Sequence, residues 1–478
     1  MSSVRIAVLL VMVFSVLGIV SPPVSPGSPV SGFPLSPSPA SAQGAANSAS
    51  KGAYGCAPRS PGRDIVVRNK DELNRAVASR QAGDDIQVAT NRILDPIQML
   101  GGVSGGDRNW ITIRAAKGFN PRIRASGFAG VQIDADYIQI CDFEIFGVAR
   151  ANNQTEQTKV GVSVVNSHHV RIANNEVRNF SSGGIAANSS NNIEIVGNNV
   201  HHNSYWSGEQ GSGISVFQPD KRLGDKKSFY QIEIAGNRSH HNENRVTAPR
   251  TNSDPAKRIA TDGNGIILDD FRNGFRTDGR PAFDGRTLVA NNVVFKNGGR
   301  GIHGAPNGGI KVHIINNTSY HNMQSLSAGF VPFDGWANSE ITVAGTFDEV
   351  SQNVKVVNNV AIIDPSLASR GVFAFYRNNI ADSTLEEHHN SFDGPAQRDF
   401  FRYPGIPWAE GPHTLGRGSN STASDVKLGN PSKGNFGLTE PTQRGSNFWV
   451  QRIDKQDIDG KRRPIGGFTE RGAFEYRR

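Results

Sequence analysis

Short segments in which apolar and polar residues alternate recur along the middle of the chain. Their sequences are HVRIAN (169–174), NIEIVGN (192–198), QIEIAGN (231–237), VHIINN (312–317) and NVKVVNN (353–359). Alternation with a period of two residues predicts strands that bury one face. A second set of segments, in which a glycine precedes aliphatic residues, predicts further strands. This set comprises GVSVVNS (161–167), GIAANSS (184–190), GISVFQP (213–219), GIILDDF (265–271) and GIHGAPN (301–307).

A polar motif, here called the Asn-frame, follows the alternating segments and reads Asn, four residues, Asn. It occurs as NNEVRN (174–179), NNVHHN (198–203), NRSHHN (237–242), NVVFKN (292–297) and NNTSYHN (316–322), and more weakly as NVAIID (359–364). Asparagine tolerates the left-handed backbone of tight corners, and its amide can hydrogen-bond to an identical residue stacked above it. The Asn-frame therefore predicts a corner that recurs on every lap of a repetitive fold.

Together these patterns predict an all-β parallel β-helix with three short strands per coil and at least about 23 residues per lap. A single coil cannot bury its aliphatic face, whereas stacked coils share one interior and pair their backbones with both neighbours. We expect this solenoid over residues 63–395. NKDELNRAVASRQ (69–81) fits an N-terminal helical cap with Asn69 as N-cap, and AGDDIQVA (82–89) a first strand. The Gly-, Pro- and Ser-rich tail, 396–478, is expected to form an irregular C-terminal cap.

The N-terminus has the features of an export signal. Arg5 precedes the apolar run 6–20, and a Pro/Ser-rich stretch leads to ASAQ (40–43) with small residues before a cleavage point. We therefore expect residues 1–42 to be a signal peptide, 43–62 a linker, and the mature protein to be secreted or periplasmic. Retention of the apolar run as a membrane anchor is the alternative, although its 15 residues are few for a membrane span.

Composition adds constraints on partners and redox state. The 478 residues carry a formal charge of +8, which favours polyanionic partners. The sequence contains no recognisable element that reads nucleic-acid bases, so we expect an acidic polysaccharide as partner rather than nucleic acid. We also expect the mature protein to be a monomer that is not attached to a membrane. Cys56 and Cys141 are the only cysteines. An oxidising compartment permits a disulfide between them, and two thiols are too few for a metal cage.

Several stretches resemble secreted right-handed parallel β-helix proteins, especially polysaccharide lyases. ELNRAVASRQAGDDIQVA and WITIRAAKGFNPRI resemble the cap and first coils of the chondroitinase B and alginate lyase group, and DIDGKRRPIGGFTERGAFEY is similar to the closing segment of many such proteins. The resemblance covers about 63–478 and implies the fold more strongly than the activity, because lyases, hydrolases, epimerases and adhesins share this scaffold.

Two coils carry the resemblance that bears on chemistry. TDGNGIILDD (261–270) resembles the coil that holds the catalytic lysine of family 9 pectate lyases, but Ile267 stands at the lysine position. NGGRGIHGAPNGGIKVHIINN (297–317) is similar to the next coil, where the chondroitinase B group supplies an arginine. Arg300 and His303 are the nearest matches. A fainter likeness to polygalacturonases is weakened because Asp262 and Asp269 fall within one lap.

These residues define the candidate site. Arg300 is expected to grip a uronate carboxylate and His303 to act as base, since imidazole titrates near neutrality. Asp262, Asp269 and Asp270 form the best carboxylate cluster for Ca²⁺. Alternatively, the aspartates are turn formers, His303 is a surface residue and Arg300 is a corner residue.

Further candidates are expected to bind substrate or to line another face. The candidates for substrate binding are Lys311, His321, Tyr205 and Trp206, although the two aromatic residues could equally pack against a loop. A basic column comprises Arg178, His202, His241, Lys296 and His321. Metal binding by His202 and His241 would require their side chains to converge across one lap.

The favoured hypothesis is a lyase that cleaves an acidic, uronate-containing polysaccharide by β-elimination. Basic insertions at 218–230, 243–262 and 272–286 are expected to wall its groove. A non-catalytic polysaccharide-binding or adhesin β-helix is the main alternative, and a hydrolase or a uronate epimerase on the same fold also remains open.

Overall fold

The computed structural model describes only part of the chain. The described residues are 54–56, 62–152, 159–207, 211–221, 230–246, 259–260, 262–271, 281–305, 310–327, 329, 331–332, 338–344, 353–378, 385–393, 397–400, 422–423, 426–446, 456–463 and 469–476. The predicted signal peptide and most of the linker lie outside them. None of the helices within these residues combines the length and apolar character needed to span a membrane.

Three long parallel sheets, A, B and C, make up the fold, and each coil passes from A to B to C. Sheet A comprises β1 (Asp64–Val67), β2 (Asp85–Val88), β5 (Ile111–Ala115), β8 (Ile138–Cys141), β11 (His168–Ala173), β14 (Asn191–Val196), β17 (Ile232–Ala235), β21 (Arg286–Ala290), β24 (Lys311–Ile315), β28 (Val354–Val357) and β31 (Leu385–His388). Sheet B comprises β3 (Ile93–Leu94), β6 (Arg122–Arg124), β9 (Glu144–Phe146), β12 (Glu176–Arg178), β15 (Asn199–His201), β18 (Arg238–His240), β22 (Val293–Phe295), β25 (Thr318–Tyr320), β29 (Val360–Ile362), β32 (Ser391–Asp393) and β34 (Thr422–Ala423).

Sheet C comprises β4 (Ile97–Leu100), β7 (Ala129–Asp134), β10 (Val160–Val165), β13 (Gly183–Asn188), β16 (Ile214–Phe217), β20 (Ile266–Asp269), β23 (Ile302–Gly304), β27 (Asn338–Ala344), β30 (Val372–Asn378) and β33 (Gln397–Phe400). Two small sheets pair β19 (Ile259–Ala260) with β26 (Val331–Pro332), and β35 (Leu428–Asn430) with β36 (Asn435–Leu438). The predicted right-handed parallel β-helix is confirmed, and its handedness is the one that parallel crossovers adopt.

The interior is a stack of aliphatic side chains from equivalent strand positions. In sheet A, Ile172 pairs with Ile140 on one side and with Ile195 on the other, and the column continues through Ile234 and Val289. These residues are buried in one continuous core cluster. The alternating segments therefore bury one face of each strand, as the sequence predicts.

The glycine that opens each sheet C segment lies where the chain passes directly against sheet B. A Cβ at Gly184 would come within 2.3 Å of Val200 Cγ1, and one at Gly301 within 2.1 Å of Ser319 Oγ. A side chain cannot fit at this corner, which explains why a glycine recurs there.

The single α-helix among the described residues covers the N-terminal end of the core. It runs over Lys70–Ala78, and the Asn69 side chain accepts a hydrogen bond of 2.9 Å from the Glu72 backbone N–H. Leu73 and Val77 are buried on one face. The predicted capping helix is confirmed. It ends at Ala78, with Ser79 as its C-cap, whereas the predicted segment extends to residue 81.

The Asn-frames form two ladders of buried side chains. The first contains Asn175, Asn198, Asn237, Asn292, Asn317, Asn359 and Asn390, and the second Asn203, Asn242, Asn297 and Asn322. In each step an amide nitrogen donates to the next Oδ1, at 3.0 Å from Asn317 to Asn359. The predicted ladder is confirmed.

The register of the first Asn-frame differs from the prediction by one residue. Asn175, not Asn174, stacks with Asn198, and Phe180 occupies the position that Asn203 takes in the next coil. Asn179, not Arg178, aligns with His202, because Arg178 pairs with His201. Two consecutive asparagines, 174 and 175, made both alignments compatible with the sequence.

Both ends of the described chain pack along the corner between sheets A and B. Tyr54 is buried there, and its hydroxyl accepts a hydrogen bond of 3.0 Å from Asn291 Nδ2. A disulfide joins Cys56 to Cys141, a pairing that the sequence left open.

The C-terminal tail runs along several coils rather than only across the last one. Arg471 Nη1 donates to Asn390 O at 2.9 Å, Ala473 N donates to Thr318 Oγ1 at 3.0 Å, and Asn291 Nδ2 donates to Gln456 O at 3.1 Å. The described part of the tail predicted as a C-terminal cap is thus a side strap, since its apolar residues pack on sheet B.

Candidate functional site

The long insertions all flank sheet C. Those between β18 and β20 and between β25 and β27 lead into this sheet, while those between β16 and β17 and between β20 and β21 leave it. Strands β19 and β26, from the two entering insertions, pair with each other. The centres of the predicted basic loops, 222–229, 247–258 and 272–280, lie outside the described residues. Each of these insertions therefore begins or ends at a strand of sheet C.

His303 lies on the outer face of sheet C, in β23. Its neighbours in register are Ile267 on one side and Thr342 on the other, and Tyr376 follows Thr342. The His303 side chain is 7% exposed, and among the described residues neither ring nitrogen has a hydrogen-bond partner. Buried polar atoms are almost always hydrogen-bonded, so this ring is the strongest indication of a functional group on the described surface.

The charge state of His303 follows from its surroundings. Burial, and after it the positive charge of Arg300, hold the pKa of His303 well below its usual range. The imidazole is therefore neutral at pH 7 and keeps a lone pair available for a proton.

Arg300 lies at the corner that enters β23. Its backbone N–H donates to Asn264 Oδ1 at 2.8 Å, and Asn264 Nδ2 donates to Asp262 Oδ1 at 3.0 Å. Burial lowers the pKa of Arg300 to about 10, against the opposing effects of Asp262 and Tyr376. The guanidinium remains charged at neutral pH and gives the site a fixed positive group.

Asp262 and Asp269 are two carboxyl groups whose pKa values are both raised. Burial, and then the charge of Asp269, raise the pKa of Asp262 well above its usual range. Burial, and then the charge of Asp270, raise the pKa of Asp269 to about 6. Asp269 follows Ile267 by two residues in β20, so it lies on the same face as His303 and one coil away.

The three aspartates do not converge as a set of calcium ligands. Asp270 accepts a hydrogen bond of 2.6 Å from Gln218, and Arg300 supplies a positive charge beside Asp262. In the part of the chain that the structure describes, no group of three or more His, Cys, Asp or Glu is arranged to hold a metal ion. Ca²⁺ needs six or more oxygen ligands, so this arrangement does not fit it, and calcium dependence stays a prediction.

The residues predicted to bind substrate lie apart from Arg300 and His303. Lys311 begins β24 in sheet A and donates to Asp284 O at 3.1 Å. His321 follows β25 in sheet B and stacks on Tyr320, with 3.7 Å between ring centroids.

Tyr205 and Trp206 lie on the corner that leads toward β16. Tyr205 is buried, and the Arg245 guanidinium carbon lies 5.5 Å from the centroid of the Tyr205 ring. The ring therefore packs within the protein and is not presented for stacking on a sugar. Trp206 is partly exposed at the edge of sheet C, and its Nε1 donates to Arg150 O at 2.8 Å.

Two residues near the site escaped sequence reasoning. Tyr376 lies two coils from His303 in the same column, within VFAFYRN (372–378), a segment without the glycine that marks the earlier sheet C strands. Asn264 connects Asp262 to Arg300, although it stands outside every Asn-frame. Residues 372–376 are all apolar or aromatic, so no alternation of polar and apolar residues marks the face on which Tyr376 lies.

Comparison with protein-family models and with characterised proteins finds no match. Among solved structures, the chain is similar to pectate lyase Pel9A, with 16% identity and a TM-score of 0.43 over 87% of this chain and 90% of that one. It is also similar to an alginate lyase from Paenibacillus sp. str. FPU-7, with 16% identity and a TM-score of 0.39 over 76% and 98%. A rhamnogalacturonan lyase has 14% identity and a TM-score of 0.42 over 69% and 88%.

Proposed function

We propose that the chain is an exported lyase that cleaves an acidic, uronate-containing polysaccharide by β-elimination on the outer face of sheet C. One observation carries the proposal. His303 is a neutral, buried imidazole beside the charge of Arg300, and its ring nitrogens have no partner among the described residues. A base and a carboxylate-binding cation side by side are what this reaction requires.

The chemistry assigns a role to each group. Arg300 binds the uronate carboxylate and stabilises the negative charge that grows on it as the neighbouring carbon loses its proton. His303 takes that proton. The electron pair forms a carbon–carbon double bond as the glycosidic oxygen leaves, and this oxygen takes up a proton. Tyr376, in the same column, is the candidate donor of that proton.

The low pKa of His303 is consistent with a base that acts only when substrate is bound. In the free protein, a second positive charge beside Arg300 is unfavourable, because both groups are buried. A substrate carboxylate on Arg300 neutralises that charge, so it raises the pKa of His303 and makes proton transfer to the ring easier.

A polysaccharide hydrolase is the second candidate, and the carboxyl pair favours it. The pKa of Asp269 is about 6 and that of Asp262 is raised well above its usual range, as suits a general acid paired with a second carboxyl group. Hydrolysis would place the chemistry on Asp262 and Asp269 and leave Arg300 to bind the substrate.

Export is supported by the Cys56–Cys141 disulfide. Disulfides persist in oxidising compartments, so the bond agrees with the signal peptide expected from residues 1–42.

The test is to incubate the mature protein with pectate, alginate, glucuronan and glycosaminoglycans, with Ca²⁺ or with chelator. A lyase raises the ultraviolet absorbance of an unsaturated uronate. Chain shortening without this chromophore indicates a hydrolase, and altered uronate composition at constant chain length an epimerase. Retention of polymer without any of these changes indicates a non-catalytic binder and contradicts the proposal. Loss of activity in chelator would restore the predicted role of calcium.

Variants locate the reaction within the site. His303→Gln should lower kcat by roughly 100-fold or more, because a positioned base contributes at least about that factor. Ser215→Ala, in the same outer column but in β16, is the matched control and should keep full activity. Equal activity in both variants would remove His303 from the mechanism.

A further inference from the structure

Adjacent histidines at the ends of two neighbouring sheet B strands form a cluster that the proposed reaction does not use. His201 and His202 follow one another at the end of β15, and His240 and His241 at the end of β18. These four residues are called the histidine array. Within each pair the two Nδ1 atoms face each other, at 2.7 Å in the first and 2.8 Å in the second.

The backbone creates this convergence. His202 and His241 have left-handed conformations, with φ of 55° and 52°. The turn brings each ring beside that of the preceding strand residue, at ring-centroid distances of 5.0 and 5.1 Å with the planes nearly perpendicular. Each turn therefore holds two imidazoles with their Nδ1 atoms in contact.

The outer nitrogens of the strand residues have fixed partners. His201 Nε2 lies 3.2 Å from Glu176 Oε1, and His240 Nε2 lies 3.1 Å from Asn199 Oδ1. Both partners are acceptors, so each Nε2 carries the hydrogen and each strand Nδ1 presents its lone pair. A metal-binding histidine has this arrangement, in which a second residue orients the ring by accepting its other N–H.

The distance within each pair selects among metals. Two nitrogens about 2.0 Å from one ion are about 2.8 Å apart at a right angle and about 3.3 Å apart at a tetrahedral angle. The observed separations match the right angle, which is the cis arrangement of tetragonal Cu²⁺ or Ni²⁺.

We propose that each pair of the histidine array binds one tetragonal divalent ion, Cu²⁺ or Ni²⁺, through its two Nδ1 atoms, with water completing the coordination. The ion takes the place of the proton between the rings, and this proton moves from Nδ1 to Nε2 of His202 or His241, so that both rings of each pair stay neutral. Equivalent rings stack across coils with centroids 4.9 Å apart for His201 and His240 and 5.1 Å for His202 and His241, so the pairs hold separate ions.

The test is a Cu²⁺ titration of the full mature chain, followed by electron paramagnetic resonance. Each ion should show hyperfine coupling to two nitrogens, and the two ions, one coil apart, should show spin–spin coupling at saturation. Two further adjacent pairs, His168–His169 and His388–His389, have similar Nδ1 contacts and contribute a constant background to every variant.

The variants keep the backbone of the corner. Asparagine stands naturally at the equivalent left-handed position 179, so His202→Asn with His241→Asn removes one ligand from each pair without strain. This variant should bind two fewer equivalents of Cu²⁺ and lose the spin–spin coupling. His241→Asn alone should lose one equivalent together with the coupling.

The control is His321→Asn, which changes a histidine in the same corner column that has Tyr320 rather than histidine before it. It should bind as many ions as the unaltered protein. Circular dichroism of the metal-free variants verifies folding. Equal copper stoichiometry in the control and in the double variant, or absence of coupling in the unaltered protein, would overturn the proposal.

Discussion

At the scale of single residues, the corners of the coil determine which side chains can be placed there. The glycine at the start of β10, β13, β16, β20 and β23 cannot bear a side chain, because sheet B lies directly against it. In the next coil the same position is occupied by Glu340, which aligns with Gly301. The Glu340 carboxylate accepts hydrogen bonds from Asn322 N at 2.8 Å and from Ser319 Oγ at 2.7 Å. It therefore closes the second asparagine ladder with a carboxylate that is fully buried.

Glu340 should make stability depend on pH. Burial raises its pKa to about 7, against about 4.3 in an unfolded chain. Because the folded state holds the proton more tightly, stability is highest below the unfolded pKa and falls as pH rises from about 4.3 to about 7. Glu340→Gln should remove roughly 2–3 kcal/mol of this decline, as measured by denaturant unfolding at pH 5 and pH 7.5.

The comparison variant is Glu386→Gln on sheet A, where the carboxyl is 40% exposed and paired with Lys355. It should keep the pH dependence of the unaltered protein. If the free energy of unfolding of Glu340→Gln falls between pH 5 and pH 7.5 as much as that of the unaltered protein, other groups cause the decline.

At the scale of elements, hydrogen bonds between stacked corners join successive coils. Asn317 Oδ1 accepts from Asn292 N at 3.0 Å, and Asn317 Nδ2 donates to Val289 O at 2.9 Å. Each ladder residue thus links its own coil to the coils on both sides. The strands supply the apolar contacts, while the ladders satisfy the polar groups that the corners bury.

Removing one ladder side chain should therefore destabilise the protein. Asn317→Ala leaves the Asn292 N–H and the Val289 carbonyl without these partners, which costs about 2–4 kcal/mol in total. Asn188→Ala, on the outer face of sheet C, is the control and should cost about 0.5 kcal/mol or less. Urea unfolding measures both, and equal losses would contradict a special role for the ladder.

At the scale of the whole described molecule, the two chain ends stabilise the stack from outside. The segment at Tyr54–Cys56 and the part of the tail at residues 456–463 both reach Asn291, whose amide donates to Tyr54 and to Gln456. They cover the corner between sheets A and B, whereas the insertions border sheet C. This division leaves sheet C as the face on which a polymer groove can form.

The disulfide should make a measurable contribution to this arrangement. It closes a loop of 85 residues, so reduction should lower the free energy of unfolding by about 2–4 kcal/mol. Guanidinium unfolding with and without reductant measures the difference. Cys56→Ser should unfold like the reduced protein and be insensitive to reductant, and no effect of reductant on the unaltered protein would refute the prediction.

The sequence alone determined the three-strand coil, the glycine corner, the asparagine ladder and the capping helix. Each depends on a local pattern, since alternation defines a buried face and only certain residues tolerate a tight corner. It also placed His303 and Asp269 on one face of one sheet, because equivalent positions of stacked coils share a face.

Only the tertiary structure decided how distant segments combine. Three features join residues whose separation in sequence carries no period. They are the pairing of Cys56 with Cys141, the place of Tyr376 next to Thr342 in the column of His303, and the return of the tail along sheet B. Insertions of unequal length separate the coils, so local patterns cannot specify which coil a remote residue contacts. The packing of the whole stack determines these contacts.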